Sequence, residues 1–265
     1  MKYIDTHCHI FPHSIAAKVV ENLQNYYGFL WEGTGEADDL LQSISASKID
    51  KSVIFSCATK PDQVTSINDY IASLVRENPD LFIGLGTLHP DYEDCRNEIR
   101  RIRELGLKGV KFHADFQRFA IDDPKMMALY EEIGDSLVML LHTGDENSDL
   151  SAPRRLAHVL DQFPHLKVIA AHLGGYAAWD EAKKYLLGRN LYWDISSTTV
   201  TGKIDLQSAK ELIRAHGVDK VLFATDYPVV HHRRMIDEVL QMGFTQEENE
   251  AIFYRNAAKL FGITL

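Results

Sequence analysis

The chain has 265 residues, with 38 acidic against 28 basic side chains and a net charge of −10. Its 45% hydrophobic and 25% charged content is that of an ordinary folded protein, which excludes wholesale disorder and fibrous repeats. A field of that sign repels phosphate backbones and anionic lipid, so nucleic-acid and membrane partners are set aside in favour of a small-molecule substrate.

The longest candidate span, 137–141, is far short of the roughly 20 apolar residues a membrane helix needs, and no basic-then-apolar leader opens the chain. Cys8, Cys57 and Cys95 are widely spaced and form no Cys-x-x-Cys pair, which suits free thiols in a reducing compartment. A cytoplasmic protein is expected, and a zinc site built on thiolates is not. The oligomeric state stays open, a homodimer included.

In chain order, apolar strand-like runs occupy residues 2–7, 51–57, 81–88, 107–112, 137–142, 166–172, 190–195 and 220–225. Helix-like segments cover 91–105, with Ile99, Ile102 and Leu105 on one face, then 153–162, 179–187, 207–216 and 234–242. Continuous apolar strands alternating with helices imply a parallel sheet covered by helices. Eight units match an α/β chain folded as a single (β/α)8 TIM barrel, where an open doubly wound sheet would more often show five or six. No linker divides the chain, so residues 1–265 read as one domain, and 245–261 as a last helix closing the bottom or flank. The stretches 25–38, with Tyr26, Tyr27, Phe29 and Trp31, and 113–123 are expected as loops forming an apolar lid.

In such a barrel the site lies at the carboxyl ends of the strands. Alternation along residues 4–9 places Asp5, His7 and His9 on one face, so both imidazoles can reach a single ion while Cys8 points away. His142 and His172 end the fifth and sixth strands. A lone strand-end histidine is more often a core residue bonded to backbone, but two at equivalent positions point to convergence. Asp226 follows the eighth strand, where a helix cap is the plain alternative. Neutral imidazoles with one carboxylate and no thiolate make a site for one divalent metal, zinc first, with manganese, iron or cobalt as alternatives.

Lys111 and His113 share a face at the end of the fourth strand. Lys111 reads as a solvated amine, a substrate-carboxylate binder or, if carbamylated, a bridge between two metals. Arg118 lies in a loop near the expected mouth and could bind an anionic substrate. His89, His231 and His232 read as loop or helix-start residues. No nucleophile elbow, phosphate loop or dinucleotide fingerprint is present.

Six motifs then occur in order. They are Ile-Asp-Thr-His-Cys-His-Ile-Phe-Pro at 4–12, Gly-Val-Lys-Phe-His at 109–113, Leu-His-Thr-Gly at 141–144, Ala-His-Leu-Gly-Gly at 171–175, Phe-Ala-Thr-Asp-Tyr-Pro at 223–228 and Asn-Ala-Ala-Lys-Leu-Phe-Gly at 256–262. Together they resemble the amidohydrolase superfamily, in the amidohydrolase-related branch that includes aminocarboxymuconate-semialdehyde decarboxylase and pyrone-dicarboxylate lactonase. The resemblance implies that His7, His9, His142 and Asp226 hold one metal, with His172 beside a metal-bound water. Hydrolysis of a lactone, ester or amide is the leading expectation: Asp226 takes the proton, His172 orients the water or polarises the carbonyl, and Lys111, His113 or Arg118 grips an anionic group. The alternatives are a decarboxylase of an aromatic or muconate-like carboxylate on the same site, and a non-catalytic metal- or ligand-binding barrel.

Overall fold

Each apolar run becomes a strand buried on both faces, as a parallel sheet under helices requires. In the computed structural model, which describes residues 1–264, the strands are β1 (Ile4–His9), β2 (Lys51–Phe55), β3 (Phe82–Thr87), β4 (Gly109–Phe112), β5 (Val138–Leu141), β6 (Lys167–Ala170), β7 (Tyr192–Asp194) and β8 (Val221–Leu222). All are parallel and paired in chain order. Backbone bonds from Thr6 N to Phe223 O (3.0 Å) and from His9 N to Tyr227 O (2.7 Å) bring the end of the sheet back to β1. The expected TIM barrel is the observed fold.

The helices are α1 (His13–Tyr27), α2 (Ala37–Ser47), α3 (Val64–Glu77), α4 (Cys95–Glu104), the single turn α5 (Ala114–Gln117), α6 (Pro124–Ile133), α7 (Pro153–Gln162), α8 (Trp179–Tyr185), α9 (Leu206–His216), α10 (His232–Gln241), α11 (Gln246–Glu250) and α12 (Asn256–Phe261). The expected last helix is two helices separated by a π-helical turn, Ala251–Arg255. In α12, Ala257, Leu260 and Phe261 pack into the inner cluster that contains Ile4, at the start of β1. The expected lid loop over 25–38 is shorter, because α1 runs on to Tyr27 and α2 begins at Ala37. The second lid segment, 113–123, contains α5.

Inside the barrel, Val53, Ile83, Leu85, Val138, Leu140 and Ile169 form one cluster, while Ile54, Val110, Met139 and Val168 from the alternate positions pack against the helices. In β1 this alternation is broken. Its register against β2 slips between Asp5 and Cys8, three residues facing two, which is a β-bulge. The extra residue turns Asp5 away from His7 and His9, correcting the expectation that the three share a face. Asp5 instead accepts from Thr225 N (3.1 Å) and Cys8 Sγ (3.1 Å), and lies 3.1 Å from His232 Nε2. His232 Nδ1 in turn meets Ser43 Oγ at 2.7 Å, so this buried chain links β1, the end of β8, α10 and α2.

On the flank of β7, Trp193 stacks on His216 with ring centres 3.8 Å apart. Nε2 of His216 donates to Leu191 O (3.0 Å) and Nδ1 accepts from Gly188 N (3.2 Å), so the ring is held neutral. Burial pushes its pKa from 6.5 down to about 4. Within that window the unfolded chain binds the proton that the folded ring refuses, so stability falls as pH drops from 6.5 towards 4. Urea denaturation at the two ends of the window should show the wild type losing about 3 kcal/mol more than His216→Gln. Equal losses in both proteins would mean that His216 is not the linked group.

Candidate metal centre

β1 delivers His7 and His9 to the carboxyl end of the barrel, and the turn after β8 delivers Asp226. His7 Nε2 lies 3.2 Å from His9 Nε2 and 3.2 Å from Asp226 Oδ1, and His9 Nε2 lies 3.5 Å from the same oxygen. The other edge of His7, Nδ1, meets Asp194 Oδ2 at 2.9 Å. Since a carboxylate only accepts, Nδ1 carries the proton and Nε2 presents a lone pair. A lone pair and a carboxylate oxygen at that spacing repel unless a cation shares them, and two imidazoles with one carboxylate suit a divalent ion.

His142 and His172 follow β5 and β6. His172 Nδ1 donates to Ser196 O (2.9 Å), and its Nε2 lies 3.1 Å from His142 Nδ1. His142 stands outside the close trio; the acidic groups whose ligand atoms come within 4.8 Å of its own are Asp115 and Asp145. Its Nε2 is buried without a hydrogen-bond partner among the described residues. His113 stacks on His142 at 4.0 Å, and Tyr27 Oη lies 3.3 Å from His113 Nε2. His172, Leu173 and Asp226 have φ of 58°, 52° and 63°, the left-handed region that costs a non-glycine residue about 1 kcal/mol or more. Gly174 continues that turn at φ 75°, and a Cβ there would meet Trp193 Nε1 at 2.5 Å.

Burial holds the pKa of His9, His113 and His142 well below the usual histidine range, and the neighbouring Lys111 and histidines push the same way. Burial lowers His172 too, against the opposing pull of Asp226 and Asp194. Neutral imidazoles are the form that ligates metal. For Asp194, burial alone would raise the carboxyl, but the charge and hydrogen bond of His7, with His172 and Ser196, hold it far below the carboxylate range.

Lys111 is not a surface amine. It points into the barrel, with Nζ 3.3 Å from His7 Nε2 and 5.0 Å from the centre of the Phe55 ring. Burial lowers its pKa, against the pull of Cys57, Asp194 and Asp226. Arg118 is exposed at the end of α5 and does not line the cavity, so the structure does not bring it to the site. His89, His231 and His232 likewise serve local bonds away from the cavity. The cavity holds about 350 Å³, with His9, His113, His142, His172 and Asp226 among its lining residues and Trp31, Phe116 and Tyr176 in its walls. Sequence reasoning missed Asp194, Ser196 and Ser197, whose hydroxyl donates to Asp226 Oδ2 (2.8 Å). Asp194 lies inside the seventh apolar run, where the strand-end rule applied to His142 and His172 would have found it.

A profile of the amidohydrolase family matches residues 4–263. The chain is 26% identical over 261 residues to 2-amino-3-carboxymuconate-6-semialdehyde decarboxylase of Dictyostelium discoideum, covering 80% of this chain and 70% of the relative. Its fold superposes with a TM-score of 0.73 on 5-carboxyvanillate decarboxylase from Sphingomonas paucimobilis, at 18% identity and 99% coverage of both chains. It superposes equally, at 0.73 and 15% identity, on a dihydroxybenzoic acid decarboxylase from Polaromonas sp. JS666 with bound manganese, covering 98% of this chain and 97% of that one. The expectation of hydrolysis is corrected by these findings: the reactions named for these three relatives are decarboxylations.

Asp194 fixes the edge that His7 presents, and orienting carboxylates of this kind are commonly worth 10 to 100-fold in metal affinity, as an order of magnitude. Asp194→Asn should therefore fold and bind metal about 10 to 100-fold more weakly in competition with a chromophoric chelator. Unchanged affinity would remove Asp194 from the site.

Proposed function

The chain belongs to the amidohydrolase family, and from that premise we propose that it is a metal-dependent decarboxylase of an aromatic or muconate-like carboxylate. The observation that carries the reading is the cavity itself: neutral imidazoles and one carboxylate form its floor, and aromatic and aliphatic side chains its walls. Such walls strip water from a bound carboxylate, and a desolvated carboxylate loses carbon dioxide more readily than a hydrated one. Named relatives with that activity support the same reading.

His7, His9 and Asp226 would hold one divalent ion, with His142, whose buried Nε2 has no hydrogen-bond partner among the described residues, as a fourth ligand. When bound, the ion supplies a Lewis acid that anchors an oxygen of the substrate beside the scissile bond. The N/O donor set suits zinc, and manganese is the competing choice because the Polaromonas relative carries it. Asp226 and His172 line the cavity and are placed to hold and deliver a proton. In the reaction the carbon–carboxylate bond breaks, carbon dioxide leaves, and the proton from one of these groups takes its place on the same carbon. His113, which lines the cavity, would offer a donor to the bound anion, and Lys111, whose Nζ stands 3.3 Å from His7 Nε2 and does not line the cavity, would act on it through the field around that ring. The free cysteines support a reducing, cytoplasmic setting, and among the described residues no helix is long and apolar enough to cross a membrane.

Purified protein should carry about one divalent ion per chain, and a strong chelator should abolish turnover reversibly. With an active aromatic carboxylate in heavy-oxygen water, carbon dioxide should form stoichiometrically with no label in the organic product. Asp226→Asn and His172→Asn should each lose about 10²-fold or more in turnover. Label in the organic product would overturn the decarboxylase reading, and near wild-type turnover in either variant would overturn that residue's role.

A further inference from the structure

The cavity does not end at its floor. It continues outward between α1 and α3, lined on one side by Ile15, Val19 and Leu23 and on the other by Ile67 and Tyr70. Residues four apart share a helix face, so the α1 stripe runs along two turns, roughly 12 Å. The adjacent face of α1, with Ala16 and Val20, is the one buried in the protein. Packing of the helix therefore accounts for 16 and 20, while 15, 19 and 23 form a second apolar row that faces the cavity.

The floor and this arm form one continuous space of about 350 Å³, within the range of about 300–1,000 Å³ typical of sites for drug-sized ligands. A molecule held at the floor is thus the body positioned to fill the arm. We infer that the substrate is an aromatic acid carrying an uncharged apolar extension, alkyl or aryl, directed away from its carboxylate, and that Val19, Leu23 and Ile67 select it. The carboxylate end rests on the decarboxylase reading; the apolar end rests on the arm alone.

Calorimetry on the metal-loaded protein tests this with two series, 4-alkyl-2-hydroxybenzoates and 4-alkylphenols, each lengthened from methyl to butyl. Every added methylene should tighten binding by about three- to fourfold in both series. Val19→Asp should flatten the dependence on chain length, read as the ratio of butyl to methyl affinity within each protein. Val19→Thr, a milder change in case the charged variant does not fold, should reduce it. Affinity that is flat or falls with chain length, as expected if a second copy of the chain covers the arm, overturns the inference. So does an equal slope in wild type and Val19→Asp. Failure of the decarboxylase reading is distinguishable, because it removes carbon dioxide release from the acids and leaves the slope in the phenols intact.

Discussion

One buried carboxylate ties the catalytic end of the barrel together. Asp194 accepts from His7 Nδ1 through one oxygen and, through the other, from the backbone N–H groups of His172 (3.0 Å) and Ser196 (3.1 Å). A single side chain on β7 therefore sets the tautomer of His7 on β1 and the course of the turn after β6. The anion is affordable in the interior because all its partners donate to it, and an isolated carboxylate there would be neutralised instead. Trp193, the residue before it, is wedged between His216 and the close approach of Gly174, which fixes the strand end that carries the carboxylate.

Asp5 plays a comparable part on the outer side. It receives the Thr225 N–H one residue before Asp226 and the His7 N–H (3.0 Å) two residues along its own strand. The two ends of the barrel wall that must meet for His7, His9 and Asp226 to converge, β1 and the segment after β8, are thereby joined by a group that does not line the cavity. Inside, Lys111 Nζ stands 3.3 Å from His7 Nε2, where burial works against its charge and the nearby Cys57, Asp194 and Asp226 favour it.

Eight strands were legible as apolar runs because a barrel wall is buried on both faces, leaving no polar alternation to dilute the pattern. The convergence of His7, His9 and Asp226 was legible because strand ends in this fold point to one place. Asp5 was misplaced because a one-residue bulge reverses the parity of everything before it, and nothing in the residue types of β1 marks it. Arg118 was misplaced because a left-handed turn at the end of α5 decides where its side chain goes. Hydrolysis and decarboxylation share one donor set, so the residues that hold the ion do not carry that choice. The walls of the cavity, from which the decarboxylase reading is argued, are assembled from α1, α3 and loops whose meeting is a tertiary event.

His172, Leu173 and Asp226 all occupy backbone conformations that glycine or asparagine adopts at less cost. The fold therefore keeps tension at the two turns that border the cavity. Relaxing them is among the simplest gains in heat resistance open to this chain, and two of the three positions, His172 and Asp226, line the cavity. A screen that rewarded thermal survival alone would drift towards a rebuilt cavity floor, while the present sequence persists only where the cavity's own work is selected as well.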